Sequence, residues 1–298
     1  MDEVKLQLIE ETVGQIEDLP TLPHIVVQLL DKMHQPDPQI EELADLVMTD
    51  QVLTTAMITI VNSAFWGLTR EVTSIRESII YLGLRQVENL IYSVSLTNTF
   101  EQDAPLLKRV RFWEHSFGVA LCSRLIAQRL RYPDEEMAYL AGLLHDIGEV
   151  ILALYLYPTF EKVVEKIVEE GATFCDAEEA VLGFDHADVG AWLVDRWNLP
   201  PGLRSVIAHH HNVQNAAEDT LLVGIVRMAD LICLYHHLDF GITEGEQVVP
   251  ELLATWQWLV KRYPQLKAVK MKPFLEEFND QIEVVKGMIS SVYSVTTA

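Results

Sequence analysis

Two adjacent polar residues, His145 and Asp146, interrupt what would otherwise be a nearly continuous apolar helix from Tyr139 to Tyr157. Burying an unpaired carboxylate costs several kcal/mol or a large shift of its pKa, so such a pair needs compensation. A metal ion compensates both residues at once, because the carboxylate binds it directly and the neutral imidazole donates a ring nitrogen. The alternative is a buried His–Asp pair joined only by a hydrogen bond. The pair therefore marks the first candidate site.

Apolar residues recur at helical spacing along almost the whole chain, and the alternation typical of β-strands is hard to find. The sequence therefore predicts an all-α fold. Asp50 precedes an apolar helical pattern that includes Val52, Leu53 and Met57, and we expect it to start a helix there.

The character of the chain changes near residues 102–106. The part before this segment contains two histidines, His24 and His34, to which we assign no role, whereas eight histidines follow it. We therefore predict an N-terminal helical module of residues 1–104 and a histidine-bearing helical module of residues 105–298.

Composition limits the possible functions. The net charge of -22 disfavours binding of bulk nucleic acid through its phosphate backbone, and it suits a protein that meets protein partners or metal ions. Three widely spaced cysteines without a CxxC motif suggest a reducing cytoplasm. No signal peptide and no uncharged run long enough to span a bilayer is visible, so we expect a cytoplasmic protein without a membrane anchor.

Several acids and histidines of the second module have the chemistry of metal ligands, and each lies on a segment with a helical pattern. The candidates are His115, His145, Asp146, His186, His209, His210 and Asp230. Neighbours on a helix project about 100° apart, so one can reach a metal ion while the next reaches a second ion or orients a ligand. Carboxylates bridge paired ions held roughly 3.5–4 Å apart. Mixed imidazole and carboxylate ligands suit divalent iron, manganese, zinc or nickel better than calcium.

Each candidate also has a plainer interpretation. His115 and His186 can equally be buried histidines near a helix end, and Asp230 can be a polar residue near a helix start or a surface acid. Of the three consecutive histidines after Ala208, we expect at least one to be a solvated helix terminus, where a cationic ring suits the helix dipole, and we assign that role to His211. The pair at 236–237 is interpreted as surface residues.

Several motifs in a fixed order resemble the HDOD family, regulatory relatives of the HD superfamily of metal-dependent phosphohydrolases. The resemblance runs from about Leu19 to about His211. It rests on Leu19-Pro20-Thr21-Leu22-Pro23, Asp50 through Asn62-Ser63-Ala64-Phe65, Ser74-Ile75 with Leu82-Gly83, His115-Ser116, the segment from Gly142 to Gly148, His186-Ala187 with Gly190, Trp197-Asn198-Leu199-Pro200 and His209-His210. It implies a fully helical HD-superfamily-like bundle and a role in bacterial signalling, generally without catalysis.

The histidine set is also similar to that of HD-GYP phosphodiesterases, which hydrolyse cyclic dinucleotides. Two departures weaken that likeness. Glu149 stands where the resembled HDxxK segment has lysine, and the loop from Asn212 to Asp219 carries no Gly-Tyr-Pro. A lysine would neutralise substrate phosphate, whereas a glutamate repels it. Neither departure removes metal binding, and Glu149 can itself act as a ligand or orient one.

Three functions follow as expectations. The first is a non-catalytic signalling protein that retains a His/Asp metal centre and binds a signalling protein through its N-terminal half. The second is a metal-dependent phosphohydrolase acting on a nucleotide or cyclic dinucleotide, with Asp146 bridging the metal ions as the catalytic residue. The third is a sensor in which a small phosphorylated ligand such as a nucleotide binds the metal without turnover and shifts helix packing.

Overall fold

The computed structural model describes residues 3–17, 19, 21–63, 66, 68–100, 106–200, 202–240, 248–270, 273, 275, 276, 282 and 286. Within these residues the chain forms fifteen α-helices and no β-strand, which confirms the predicted all-α class. The chain divides into two compact units, Met1–Leu19 with Gln102–Asn279 (the histidine unit) and Pro20–Glu101 with Asp280–Ala298 (the second unit). The predicted module boundary between residues 104 and 105 lies outside the described residues.

The second unit contains five helices in its described part. They are α2 (His24–Met33), α3 (Ile40–Val47), α4 (Gln51–Val61), α5 (Ile75–Leu82) and α6 (Leu84–Thr99). The Asp50 carboxylate accepts a hydrogen bond from the backbone N–H of Leu53 at 2.9 Å, which confirms the predicted start of α4. Beyond α4, the Asn62 side chain exchanges two hydrogen bonds with the backbone of Val72, at 2.7 and 2.8 Å.

The histidine unit contains the other ten helices. They are α1 (Glu3–Thr12), α7 (Arg109–Leu130), α8 (Glu135–Leu144), α9 (Ile147–Tyr155), α10 (Tyr157–Glu170), α11 (Phe174–Leu182), α12 (His186–Arg196), α13 (Gly202–His209), α14 (Thr220–Tyr235) and α15 (Val248–Arg262), with 3-10 helices at Val213–Asn215 and Pro264–Ala268. Helix α7 packs against both α8 and α14, and α12 packs against α9 and α13. These contacts bring the ends of several helices to one place in the core.

The apolar stretch around His145 and Asp146 is two helices rather than one. Helix α8 ends at Leu144 and α9 begins at Ile147, so the polar pair occupies the break between them. The break matters for the site, because the side chains of both residues point into the same buried polar cluster.

Among the described residues, the one continuous segment that is long and apolar enough to cross a membrane lies mostly in the core. Glu135–Tyr155 has the length and apolar composition to cross a bilayer, but 89% of its most apolar window is buried inside the fold. The pair Ile40–Val47 and Gln51–Val61 meets the same criteria only when taken together, and it bends by 115°.

The N-terminal helix α1 belongs to the histidine unit, although the predicted modules placed it with the N-terminal part. Lys5 pairs with Asp188 on α12 at 2.7 Å and with Glu179 on α11. The Trp192 indole N–H also donates to the Glu10 carboxylate at 2.6 Å. These polar contacts, made to residues more than 170 positions away, had no signal in local periodicity.

Two glycines allow α9 and α12 to approach closely. A Cβ atom on Gly148 would lie 2.0 Å from the carbonyl oxygen of His186, and one on Gly190 would lie 2.8 Å from the Ile207 side chain. At Gly190, too, the missing side chain lets neighbouring elements approach closely. This approach places the start of α12, with His186, beside Asp146.

Candidate metal centre

Six of the seven predicted ligand residues meet inside the histidine unit. His115 lies in α7, His145 and Asp146 lie between α8 and α9, His186 begins α12, His210 follows α13, and Asp230 lies in α14. Each of these side chains belongs to a residue that is no more than 6% exposed. The cluster is therefore built from distant parts of the chain and shielded from water.

Four donor atoms converge in the first half of the cluster. The distances are 2.9 Å from His145 Nε2 to Asp146 Oδ2, 3.3 Å from His115 Nε2 to His145 Nε2, 3.4 Å from His115 Nε2 to Asp230 Oδ1, and 3.5 Å from His115 Nε2 to Asp146 Oδ2. Donors bound to one ion at about 2.1 Å lie about 3.0–3.4 Å apart. His115, His145 and Asp146 therefore have donor atoms close enough to share a metal ion, while Asp230 Oδ1 lies 4.0 Å from His145 Nε2.

The second half of the cluster forms around the other oxygen of the same carboxylate. Asp146 Oδ1 lies 3.1 Å from His210 Nε2 and 3.5 Å from His186 Nε2. The Nε2 atom of His186 also lies 2.9 Å from Nε2 of His211. Because Asp146 directs one oxygen to each half, it has the arrangement of a carboxylate that bridges two ions.

Backbone carbonyls fix the tautomers of three histidines. The Nδ1–H groups donate at 2.7–2.8 Å, from His115 to Leu238, from His145 to Gly142 and from His210 to Ile207. A carbonyl oxygen can only accept, so Nδ1 carries the hydrogen and Nε2 of the neutral ring presents a lone pair. All three Nε2 atoms face carboxylate oxygens. This preparation of Nε2 by a hydrogen bond at Nδ1 is typical of metal-ligating histidines.

Two atoms of the cluster test directly whether a cation fits. Asp146 Oδ1 and His210 Nε2 are buried and make no hydrogen bond, although they lie 3.1 Å apart. Two acceptors in contact leave a desolvated, uncompensated pair, which a cation between them would satisfy. The imidazole and carboxylate donors present here fit a divalent transition metal ion.

The charges around the site also favour a bound cation. Four carboxylates are buried there, those of Asp146, Glu149, Glu178 and Asp230, and the buried Arg227 guanidinium opposes them. Arg227 pairs with Asp230 at 2.8 Å and with Glu251 on α15. Buried charges are tolerated only when they are paired or coordinate a metal, so this excess of negative charge requires further positive charge.

The pKa values show the same demand for positive charge. Burial alone would lower the pKa of His115, but its contacts with Asp146 and Asp230 raise that pKa to about 10. Burial would raise the pKa of Asp146, yet the neighbouring His145 and His115 hold it well below the usual value. In the absence of a metal ion, a proton on His115 therefore supplies part of the missing positive charge.

Glu178 supports His186 from behind and was not predicted from the sequence. Its Oε2 accepts from the backbone N–H of His186 at 2.9 Å and from Nδ1 of the same residue at 2.7 Å. Burial would lower the pKa of His186, but the charges of Glu178 and Glu149 raise it well above the usual value, which favours the protonated ring. Nothing in local sequence marks Glu178, because it lies eight positions before His186 and in a different helix.

Aromatic and aliphatic side chains close the site. Phe174, Leu234 and Phe240 line the same pocket as the polar cluster, and the Phe240 ring meets the His115 ring edge-on at 4.8 Å. A helix C-cap positions this segment, because Leu238 N–H donates to the Cys233 carbonyl at 3.0 Å. The end of α14 is thereby turned back so that the Leu238 carbonyl reaches His115.

The structure differs from the prediction at the run of three histidines. His209 bonds through Nδ1 to the Ser205 carbonyl of its own helix at 2.8 Å, and it joins none of the ligand clusters found among the described residues. His211, expected to be a solvated terminus, instead lies within the cluster beside His186 and Arg227. The reason is that α13 ends at His209, so the next two residues leave the helix and turn inward.

These observations define a class of protein: a helical protein with a buried histidine–aspartate cluster whose side chains could hold a metal ion. The sequence model of the HDOD domain matches residues 19–213. The chain therefore belongs to the HDOD domain family.

Solved structures and a curated relative are similar to this chain. The crystal structure of an HDOD domain protein with unknown function from Geobacter sulfurreducens is 32% identical, with a TM-score of 0.84 over 97% of this chain and 98% of that one. A candidate phosphohydrolase from Shewanella amazonensis SB2B shares the fold, at 23% identity and a TM-score of 0.75 over 96% of this chain and 98% of that one. An uncharacterized protein from Treponema pallidum (strain Nichols) is 28% identical over 80% of this chain. The match covers 46% of that relative's length.

Proposed function

We propose that this protein is a signalling or regulatory member of the HDOD family whose His/Asp centre binds divalent transition metal ions without hydrolysing a phosphodiester. His115, His145, Asp146 and Asp230 would hold one ion, and Asp146, His186 and His210 would face a second. A bound ion would supply the positive charge that the buried carboxylates require. The donor set suits iron, manganese, zinc or nickel.

The size of the pocket is the observation that carries the absence of catalysis. The space open to the centre of a water molecule is about 10 Å³, and the pocket is lined by the polar cluster together with Phe174, Leu234 and Phe240. That volume is room for roughly one water molecule. A nucleotide or cyclic dinucleotide would need the apolar side to move away. Glu149 also lines the pocket, and its carboxylate would repel an entering phosphate.

The proposed output is contact with a protein partner. The net charge of -22 makes nucleic acid a poor partner and leaves a protein surface as the better one. A bound ion would contact side chains from helices α7, α12 and α14. Metal binding would therefore fix the relative positions of these helices within the histidine unit. This would give the centre a role in presenting a defined surface.

Hydrolysis is the second candidate, and the bridging position of Asp146 favours it. The test is to incubate metal-loaded wild type and Asp146→Ala with a cyclic dinucleotide and with a nucleoside triphosphate. Products are then separated by chromatography. We expect no turnover above background from either protein. Turnover by the wild type that is lost in Asp146→Ala would overturn the non-catalytic assignment.

A further inference from the structure

We propose that residues 238–240, which follow helix α14, form a strap that closes the metal centre, and that Phe240 is the residue that excludes phosphate-bearing ligands from it. These residues are called the 238–240 strap. The inference rests on the proposed metal binding and deepens it, because it names the part of the pocket wall that must move before a phosphate group can reach the centre.

The three apolar side chains that line the pocket differ in how they are held. Phe174 begins α11 and is 1% exposed. Leu234 lies in the last turn of α14 and is half-buried. Phe240 is 8% exposed and lies beyond the end of α14, outside any helix. A helical residue leaves the wall only if its helix shifts or unwinds. Phe240 is therefore the wall residue that moves with the least disruption.

A left-handed turn at the end of α14 marks the start of the strap. His237 has a φ of 60°, and its backbone N–H donates to the Leu234 carbonyl at 3.0 Å. The next N–H, that of Leu238, donates to the Cys233 carbonyl at 3.0 Å. Helices commonly end in this arrangement. The turn gives the strap a short hinge, because a change of backbone angles at one or two residues would swing it relative to α14.

Polar contacts hold the strap to helix α7. The Leu238 carbonyl accepts a hydrogen bond from Nδ1 of His115 at 2.7 Å, and both residues are buried. Asp239 pairs with Arg111 at 3.4 Å in an ion pair that water reaches, so this pair contributes little to closure. Opening the strap would break the bond to His115. Closure of the pocket and the orientation of this candidate ligand are therefore coupled.

The ring of Phe240 is the part of the strap that fills the pocket. Its centroid lies 4.8 Å from that of His115, 5.6 Å from that of Phe112 and 6.2 Å from that of Phe174, distances typical of packed aromatic pairs. With the ring in this place, the space open to the centre of a water molecule is about 10 Å³. A phosphate group is larger than a water molecule, so it does not pass while the ring stays.

The chemistry of the pocket indicates which ligand an open strap would admit. Phosphate oxygens coordinate divalent metal ions well. At an empty centre, the buried carboxylates, including Glu149 in the pocket wall, repel a phosphate. We therefore expect a phosphate group to bind only when the strap is open and the centre is loaded with metal.

Water-proton relaxation of Mn²⁺-loaded protein tests this closure. Bound Mn²⁺ relaxes bulk water protons efficiently only when water on the ion exchanges with the solvent. We expect a low relaxivity per bound Mn²⁺ in wild type, unchanged by inorganic phosphate. Phe240→Ala removes the ring and should raise the relaxivity severalfold. Inorganic phosphate should then lower it in a saturable way, because phosphate displaces water from the ion. Circular dichroism and equilibrium dialysis report folding and Mn²⁺ loading.

A conservative variant and a matched control accompany Phe240→Ala. Phe240→Leu keeps a smaller apolar side chain at the same place and should give an intermediate relaxivity. Tyr235→Ala also removes an aromatic ring at the end of α14, but that residue is 53% exposed and does not line the pocket. Its relaxivity and its response to phosphate should equal those of wild type.

The remaining outcomes separate the strap from the metal centre. A wild-type protein that binds Mn²⁺ with high relaxivity, or with relaxivity lowered by phosphate, would overturn the closure while leaving metal binding intact. Unchanged relaxivity in both Phe240 variants, or loss of Mn²⁺ binding by both, would overturn it as well. Raised relaxivity without a response to phosphate would overturn the assigned ligand class. No Mn²⁺ binding by wild type would overturn the proposed Mn²⁺-binding centre and the inference with it.

Discussion

Replacing Gly148 with alanine should force apart the two helices that carry Asp146 and His186. The new Cβ atom would lie 2.0 Å from the His186 carbonyl oxygen and 3.0 Å from the backbone nitrogen of Gly190. Ordinary contact begins at 3.4 Å, so the backbones must separate by 3.4 − 2.0 = 1.4 Å. Both obstacles are backbone atoms, which cannot rotate away as a side chain can.

The cost follows from the nature of the contact. Overpacking a core typically costs about 1–3 kcal/mol, and a clash with backbone belongs at the upper end of that range. The better helix propensity of alanine offsets at most about 1 kcal/mol of this loss of stability. The net loss is therefore about 2 kcal/mol, which lowers Tm by about 4–8 °C in a unit of this size.

The assay is thermal denaturation of metal-free protein, followed by Mn²⁺ titration of the folded variant. Gly202→Ala is the matched control, because its Cβ atom would meet only the Met137 sulfur, at 4.0 Å. We expect the control to match or slightly exceed wild type in Tm. A Gly148→Ala protein with wild-type Tm and unchanged Mn²⁺ affinity would refute the claim that this close approach positions the centre.

Further results are expected at three residues, Glu178, His115 and His237. Glu178→Gln, which removes the charge that orients His186, should weaken metal affinity by about 10–100-fold in a dialysis assay, whereas Glu179→Gln on the exposed side of α11 should not. Because the pKa of His115 is raised to about 10, metal binding at neutral pH must displace its proton. Calorimetry in buffers of different ionisation heat should therefore detect proton release, and affinity should rise with pH up to about 10. The same shift stabilises metal-free protein fully below pH 6.5, and that stability should be lost as pH rises toward 10. His237→Gly should raise Tm by about 2–4 °C, because His237 has a left-handed backbone with φ of 60° that glycine adopts without strain; an unchanged Tm would contradict this.

The helical class and the centre of the site could be predicted from the sequence because both depend on strong local signals. Apolar periodicity indicates helices along the chain, and Asp50 marks a helix start by its side-chain chemistry. His145 and Asp146 are conspicuous because polar residues in an apolar stretch must be compensated. The other candidates followed from residue type and from the resemblance to a family.

The rest depends on tertiary contacts that no local pattern reports. The choice between His209 and His211 depends on where α13 ends, and helix ends are the least certain part of sequence reasoning. Glu178 and Arg227 belong to the site only because α11 and α14 fold against it. Arg227 does stand three residues before Asp230, one helical turn away, so that spacing was a signal that could have suggested the pair.

The most direct test of the metal centre is elemental analysis of purified wild type, His145→Ala and His209→Ala, with circular dichroism to confirm folding. His145 lies in the cluster and His209 outside it. We expect bound transition metal in wild type and in His209→Ala, and its loss in a folded His145→Ala protein. Absence of metal from wild type, or full retention by His145→Ala, would contradict the account.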